Sequence, residues 1–159
     1  MNKRWNSCWA FAGAWLILSV ASAESIAPQD RANIYVSVET VQGWLGANQP
    51  VTFLDVREQD EFKAGHLPGA RNIPSHQIES ILDELPHERP IVTYCIHSAH
   101  RAPEAAQRLR ELGFTNAYVL EGGIVAWQSG GLTIRASDLA KAPVILPLTT
   151  RCVNKVRPD

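Results

Sequence analysis

The sequence predicts an α/β fold: a mainly parallel β-sheet with helices on both faces. Two observations carry this. Residues 51–56, 90–94 and 116–120 are short runs rich in β-branched and aromatic side chains, and each reads as a buried strand. Between them lie segments whose apolar residues recur at helical spacing, and strands alternating with helices make a parallel sheet covered on both sides. The chain has 159 residues and is 45% hydrophobic, enough for one ordinary domain and too little for two.

In chain order, Ser37 is placed to cap a helix with Val38, Val41, Trp44 and Leu45 on its apolar face, ending near Gly46 and Asn48. Val51-Thr52-Phe53-Leu54-Asp55-Val56 forms the first clear strand. Gly65 and Pro68-Gly69 mark a turn-rich connection, and residues 70–73 form another short strand. Ser75 is expected to cap a helix that buries Ile78, Ile81, Leu82 and Leu85 and stops at Pro86. Pro90-Ile91-Val92-Thr93-Tyr94 is a strand that runs straight into Cys95. Ala102, Ala105, Ala106, Leu109 and Leu112 make the next helical stripe. Pro103 sits in its first turn, Gly113 lies past its end, and Glu104 and Arg108 form an i, i+4 pair on its wet face. A strand over 116–120 follows, and then Glu121-Gly122-Gly123 opens a short helix towards Trp127, a core residue. Residues 144–148 are apolar enough to pack on the domain, and the end from Thr149 reads as a loose tail.

The first 23 residues read as an exported protein's leader. Lys3 and Arg4 precede an apolar run over 8–20, and Ala21-Ser22-Ala23 is a small-x-small cleavage site. The run is short for a spanning helix, so no stable membrane anchor is expected after cleavage. Removal leaves a chain that starts at Glu24 and has lost two cations, which takes the formal charge from -1 to -3. That balance argues against a nucleic-acid partner. Residues 24–33 form a polar leader, 34–135 the folded domain and 136–159 a C-terminal extension. The expected location is outside the cytoplasm, in a bacterial periplasm. Of three cysteines, Cys8 is discarded, leaving Cys95 and Cys152.

Cys95 sits between a strand and a helix. Helix N-termini present unpaired N–H groups and the positive end of the dipole. Loop amides can converge there as an anion cradle, and thiols so placed ionise readily and act as nucleophiles. The carboxyl ends of strands are also where open α/β sheets bind ligands. A small buried hydrophobe is the alternative reading, but Ile96-His97-Ser98-Ala99-His100-Arg101 is not apolar sequence. Arg101, a cation at a helix N-terminus, is best accounted for by an anion. Cys95, His97 and His100 also suggest soft metal ligands, although the spacing would fold all three back on one loop.

Three blocks then resemble the rhodanese-like domain family. The first is Asp55-Val56-Arg57-Glu58-Gln59-Asp60-Glu61-Phe62-Lys63-Ala64-Gly65-His66-Leu67-Pro68-Gly69-Ala70-Arg71-Asn72-Ile73-Pro74. The second is Tyr94-Cys95 with its loop and helix, and the third is Glu121-Gly122-Gly123-Ile124-Val125-Ala126-Trp127. Their order and spacing across 34–131 make the match specific. The resemblance implies a five-stranded, mainly parallel sheet and a sulfurtransferase cycle. Cys95 would take a sulfane sulfur from a small donor such as thiosulfate, hold it as a persulfide, and pass it to cyanide or a thiol. Loop amides from Ile96 to Arg101 would stabilise the anions. Asp55 and Arg57 would brace the site, and His66 would be a hydrogen-bonded turn residue. No metal or organic cofactor is implied, and no protein partner is identified.

The loop departs from the family pattern Cys-x-x-Gly-x-Arg. Ser98 replaces the glycine, His100 holds the usual arginine position, and Arg101 makes the loop Cys-x5-Arg. A longer loop marks the phosphatase and arsenate reductase relatives, so oxyanion chemistry is the second reading, because a wider cradle and an arginine fork suit a tetrahedral anion. A non-catalytic binding module is the third. Cys152 is either an inert tail thiol or a resolving partner for Cys95.

Overall fold

The computed structural model describes residues 34–146. Five strands form one parallel sheet: β1 (Tyr35–Val36), β2 (Thr52–Asp55), β3 (Arg71–Asn72), β4 (Ile91–Tyr94) and β5 (Ala117–Leu120). Their order across the sheet is β1-β5-β4-β2-β3. Because every pairing is parallel, the carboxyl ends of all five strands share one edge. Register aligns Asp55 with Tyr94, so the residues following β2 and β4 emerge side by side there.

Alternate strand residues face opposite ways, and the helices follow. Leu54, Ile91 and Val119 pack with Ala102, Ala105, Ala106 and Leu109 of α3 (Arg101–Glu111) and with Ile78 and Ile81 of a 3-10 helix (Ser75–Glu84). Phe53, Val92 and Leu120 face the other side, against Val38 and Val41 of α1 (Val38–Gly46) and Ile124 and Trp127 of α4 (Gly123–Ser129). Burying each valine, leucine, isoleucine or phenylalanine among them contributes about 1.5–3 kcal/mol. Ser37 caps α1 as expected, its hydroxyl accepting from the Thr40 amide at 3.2 Å. Trp127 is buried and donates its indole N–H to the Thr133 carbonyl at 3.0 Å.

Several expectations need correction. The connection after β2 contains a further helix, α2 (Gln59–Ala64), with a carboxylate of Glu61 accepting from the Glu58 amide at 3.1 Å. Ser75 does not cap the next helix; Pro74 holds that position, and the Ser75 amide donates back to the Val56 carbonyl at 3.2 Å. The helix is also of the tighter 3-10 type. Arg108 turns to Glu79 at 2.7 Å on the 3-10 helix and to Glu111 at 3.2 Å, in place of the expected pairing with Glu104. The chain beyond α4 docks on the domain, and Ile145 packs on the apolar core as expected of the 144–148 run. His66 and Arg135 exchange two hydrogen bonds, Ser137 donates to the Lys63 carbonyl, and Val144 donates to the Ala64 carbonyl. The leader and Cys152 lie outside the described residues, and of the apolar segment 144–148 only 144–146 are described.

Candidate active site

Cys95 follows β4 and is 5% exposed. The loop after it is placed by the opening of α4. The Ile124 amide donates to the Cys95 carbonyl at 3.0 Å and the Val125 amide to the Ile96 carbonyl at 3.2 Å. The peptide plane is rigid and trans here, so each N–H points opposite to the carbonyl of its own unit. The Ile96 and His97 amides therefore point away from α4. Among the described residues, none accepts a hydrogen bond from the amides of Ile96, His97, Ser98, Ala99 or His100. No side chain caps the N-terminus of α3 either. The result is a run of unengaged donors beside a recessed thiol, which is the chemistry of an anion cradle.

Two backbone features shape this loop. Gly123 has φ +62, and a Cβ there would press on the Cys95 and Ile96 carbonyls, so only glycine lets α4 approach the loop. Ser98, where the family pattern has glycine, adopts φ +52, a left-handed conformation costing a non-glycine residue about 1–2 kcal/mol. Its buried hydroxyl lies 3.5 Å from the Cys95 amide, at the outer limit of a hydrogen bond. His97, Ala99 and His100 are exposed, and Ile96 is buried.

Arg101 does not project into the loop unpartnered. Its Nη1 reaches Glu61 Oε2 at 2.7 Å and its Nη2 reaches Oε1 at 3.0 Å, a bidentate pair with side chains 15% and 7% exposed. Burial alone would raise the Glu61 carboxyl, but hydrogen bonds and charge from Arg101 outweigh it and hold the carboxyl below its ordinary range.

Asp55 and Arg57 pair with each other. Both are fully buried, with Arg57 Nε 2.9 Å from Asp55 Oδ1 and Nη2 2.5 Å from Oδ2. Nη2 also donates to the Gly65 carbonyl at 2.6 Å. Burial works against the guanidinium's charge, and the bonds and charge of Asp55 overcome it, so its pKa is raised. The Tyr94 ring lies under the guanidinium, 5.8 Å from it, and its hydroxyl accepts from the Leu67 amide at 3.1 Å. His66 stacks on Phe62 and its Nδ1 lies 2.8 Å from the Phe62 carbonyl, a turn residue as expected. No cluster of three or more metal-ligating side chains occurs among the described residues.

Sequence reasoning missed Glu61 and the part played by Gly123. The first is 40 positions from its partner, and no local pattern announces so distant a pair. Gly122-Gly123 was visible as the start of a helix, but not as the surface on which the cysteine loop rests.

Comparison with known proteins covers the same stretch. The family model described as a rhodanese-like domain matches residues 37–130. An uncharacterized protein of Bacillus subtilis, YqhL, is 45% identical over 74 residues, which is 46% of this chain and 58% of that one. A protein of Allochromatium vinosum named sulfurtransferase is 32% identical over 103 residues, covering 65% of this chain and 95% of that one. Thiosulfate sulfurtransferase GlpE of Shewanella oneidensis is 35% identical over 77 residues, 48% of this chain and 75% of its own. Among solved structures, a Bacillus halodurans protein superposes with TM-score 0.65 at 26% identity, covering 79% of this chain and 93% of that one. The human single-domain sulfurtransferase TSTD1 does so with TM-score 0.55 at 28% identity, covering 60% and 96%.

Proposed function

Because the chain belongs to the rhodanese-like domain family, we propose that it is a sulfurtransferase that carries sulfane sulfur on Cys95. The Cys95 thiolate attacks the outer sulfur of a donor such as thiosulfate. A new S–S bond forms, the donor's S–S bond breaks, and sulfite leaves with the electron pair. Cyanide or a thiolate then attacks the outer sulfur of the Cys95 persulfide, and the cysteine thiolate leaves unchanged. No oxidant and no cofactor enter this balance. The attacking thiolate and the persulfide anion are both negatively charged, and preorganised amides would stabilise them without rearrangement.

The observation that carries the reading is the run of amides from Ile96 to His100 with no acceptor among the described residues, beside a thiol at the end of β4. Relatives named sulfurtransferase and thiosulfate sulfurtransferase support it. The Cys-x5-Arg spacing also suits oxyanion chemistry, but both terminal nitrogens of Arg101 are held by Glu61, which weighs against a phosphate grip. Cyanide-dependent turnover of thiosulfate, with no hydrolysis of an aryl phosphate, is the expected result. Hydrolysis of the phosphate without sulfur transfer would overturn the proposal, and inactivity on both would favour a binding module. The reading extends to an exported domain on the strength of the leader pattern in residues 1–23. N-terminal sequencing of protein from fractionated cells, expected to begin at Glu24 in the extracytoplasmic fraction, checks it.

A further inference from the structure

Building on the sulfur-transfer reading, we propose that Glu61 weakens the loop's binding of phosphate and arsenate by withholding the Arg101 guanidinium from them. An arginine grips a phosphate-like anion through two parallel N–H···O bonds, the same geometry with which it grips a carboxylate. Here the carboxylate is built into the protein. Glu61 takes Nη1 at 2.7 Å and Nη2 at 3.0 Å, and its side chain is 7% exposed. An incoming oxyanion has to displace a partner that is already desolvated and already in place.

Glu61 is not free to follow the arginine outwards. Its Oε2 also accepts from the Glu58 amide, which fixes the carboxylate to the first turn of α2. The far end of α2 is held from several sides. The Lys63 carbonyl accepts from Ser137, the Ala64 carbonyl from Val144, and the Gly65 carbonyl from the buried Arg57. The next residue, His66, is paired with Arg135. A side chain added at Gly65 would strike the Val144 carbonyl, so the extension lies flush on this turn. The carboxylate is therefore a fixed competitor, and its charge offsets that of Arg101, the first residue of the helix that follows the loop. Phosphate or arsenate, whose encounter with the loop would rely on the guanidinium fork, loses its principal anchor.

The test measures protection of the Cys95 thiol from iodoacetamide by inorganic phosphate, a binding readout independent of sulfur transfer. Glu61→Gln removes the charge and one oxygen acceptor, and half-protection is expected at roughly tenfold less phosphate or lower. The double variant Glu61→Gln, Arg101→Gln should return to the wild-type concentration, because the gain belongs to the released guanidinium. Circular dichroism confirms that the variants fold. An unchanged phosphate requirement in folded Glu61→Gln, or a gain that survives removal of Arg101, overturns the proposal. Should Glu61→Gln fail to fold, the wild-type chain decides: half-protection by phosphate at or below the thiosulfate KM overturns it, and a clearly higher requirement supports it. Failure of the wild type to load sulfur would instead sink the sulfur-transfer reading, which separates the two.

Discussion

Replacing Gly123 by alanine separates the role of α4 as a support for the cysteine loop from a general need for glycine. Gly123 has φ +62, and a left-handed non-glycine residue costs about 1–2 kcal/mol. The added Cβ would also sit 2.5 Å from the Ile96 carbonyl oxygen and 2.8 Å from its carbon, and would press on the Cys95 oxygen. Relief means moving backbone, an overpacking cost of about 1–3 kcal/mol. That movement stretches the bonds from Ile124 and Val125 to those same carbonyls, so the expected total is about 2–5 kcal/mol. Gly69→Ala is the control, since Gly69 has φ +75 and an added Cβ there would meet nothing within 4 Å. It should lose only the conformational part, about 1–2 kcal/mol. Urea denaturation gives both stabilities, and thiosulfate-dependent sulfur loading gives the state of the loop. Gly123→Ala should be the less stable of the two and should load sulfur more slowly. Equal stability of the variants, with wild-type loading in Gly123→Ala, would refute the reasoning.

Arg57→Met leaves Asp55 buried without its partner and should destabilise the fold by about 3–5 kcal/mol in chemical denaturation. Tyr94→Phe strands the Leu67 amide and should cost about 1–3 kcal/mol by the same assay. Glu61 gives an acid signature. Its carboxyl is held below the ordinary value of 4.5, so its contribution is fully present above that value and fades as pH falls through the folded value. Stability measured against pH should therefore fall less steeply below about 4.5 in Glu61→Gln than in the wild type; parallel curves would contradict the assignment.

The strands were legible because they are buried on both faces. Phe53-Leu54 and Ile91-Val92 send alternate side chains into different clusters, which produces an unbroken apolar run. α1 and α3 were legible from their one-sided stripes, and Cys95 from its place after β4. α2 was not, since in six residues its apolar content is Phe62 and Ala64 and its start is marked by glutamates. The helical spacing of Ile78, Ile81 and Leu85 could not distinguish a 3-10 helix from an α-helix, because both place residues three apart near one another. Arg108 shows why a local pairing rule misleads: Glu79, brought up by tertiary packing, lies 2.7 Å away. The extension was legible only in its apolar run, from which Ile145 packs on the core, because its bonds at Ser137 and Val144 are backbone contacts that leave no side-chain pattern. Within the candidate site, the sequence singled out the loop after Cys95 and the Asp55–Arg57 pair, which is a buried ion pair in the structure. It did not foresee that Arg101 would meet a carboxylate supplied by α2.

The central claim is that Cys95 carries the transferred sulfur. Mass spectrometry of the intact protein after thiosulfate, followed by peptide mapping, tests it most directly. One added sulfur atom is expected, located on Cys95, removed by cyanide and absent from Cys95→Ser. A wild-type chain that gains no sulfur, or a Cys95→Ser chain that gains it equally, would rule out Cys95 as the carrier.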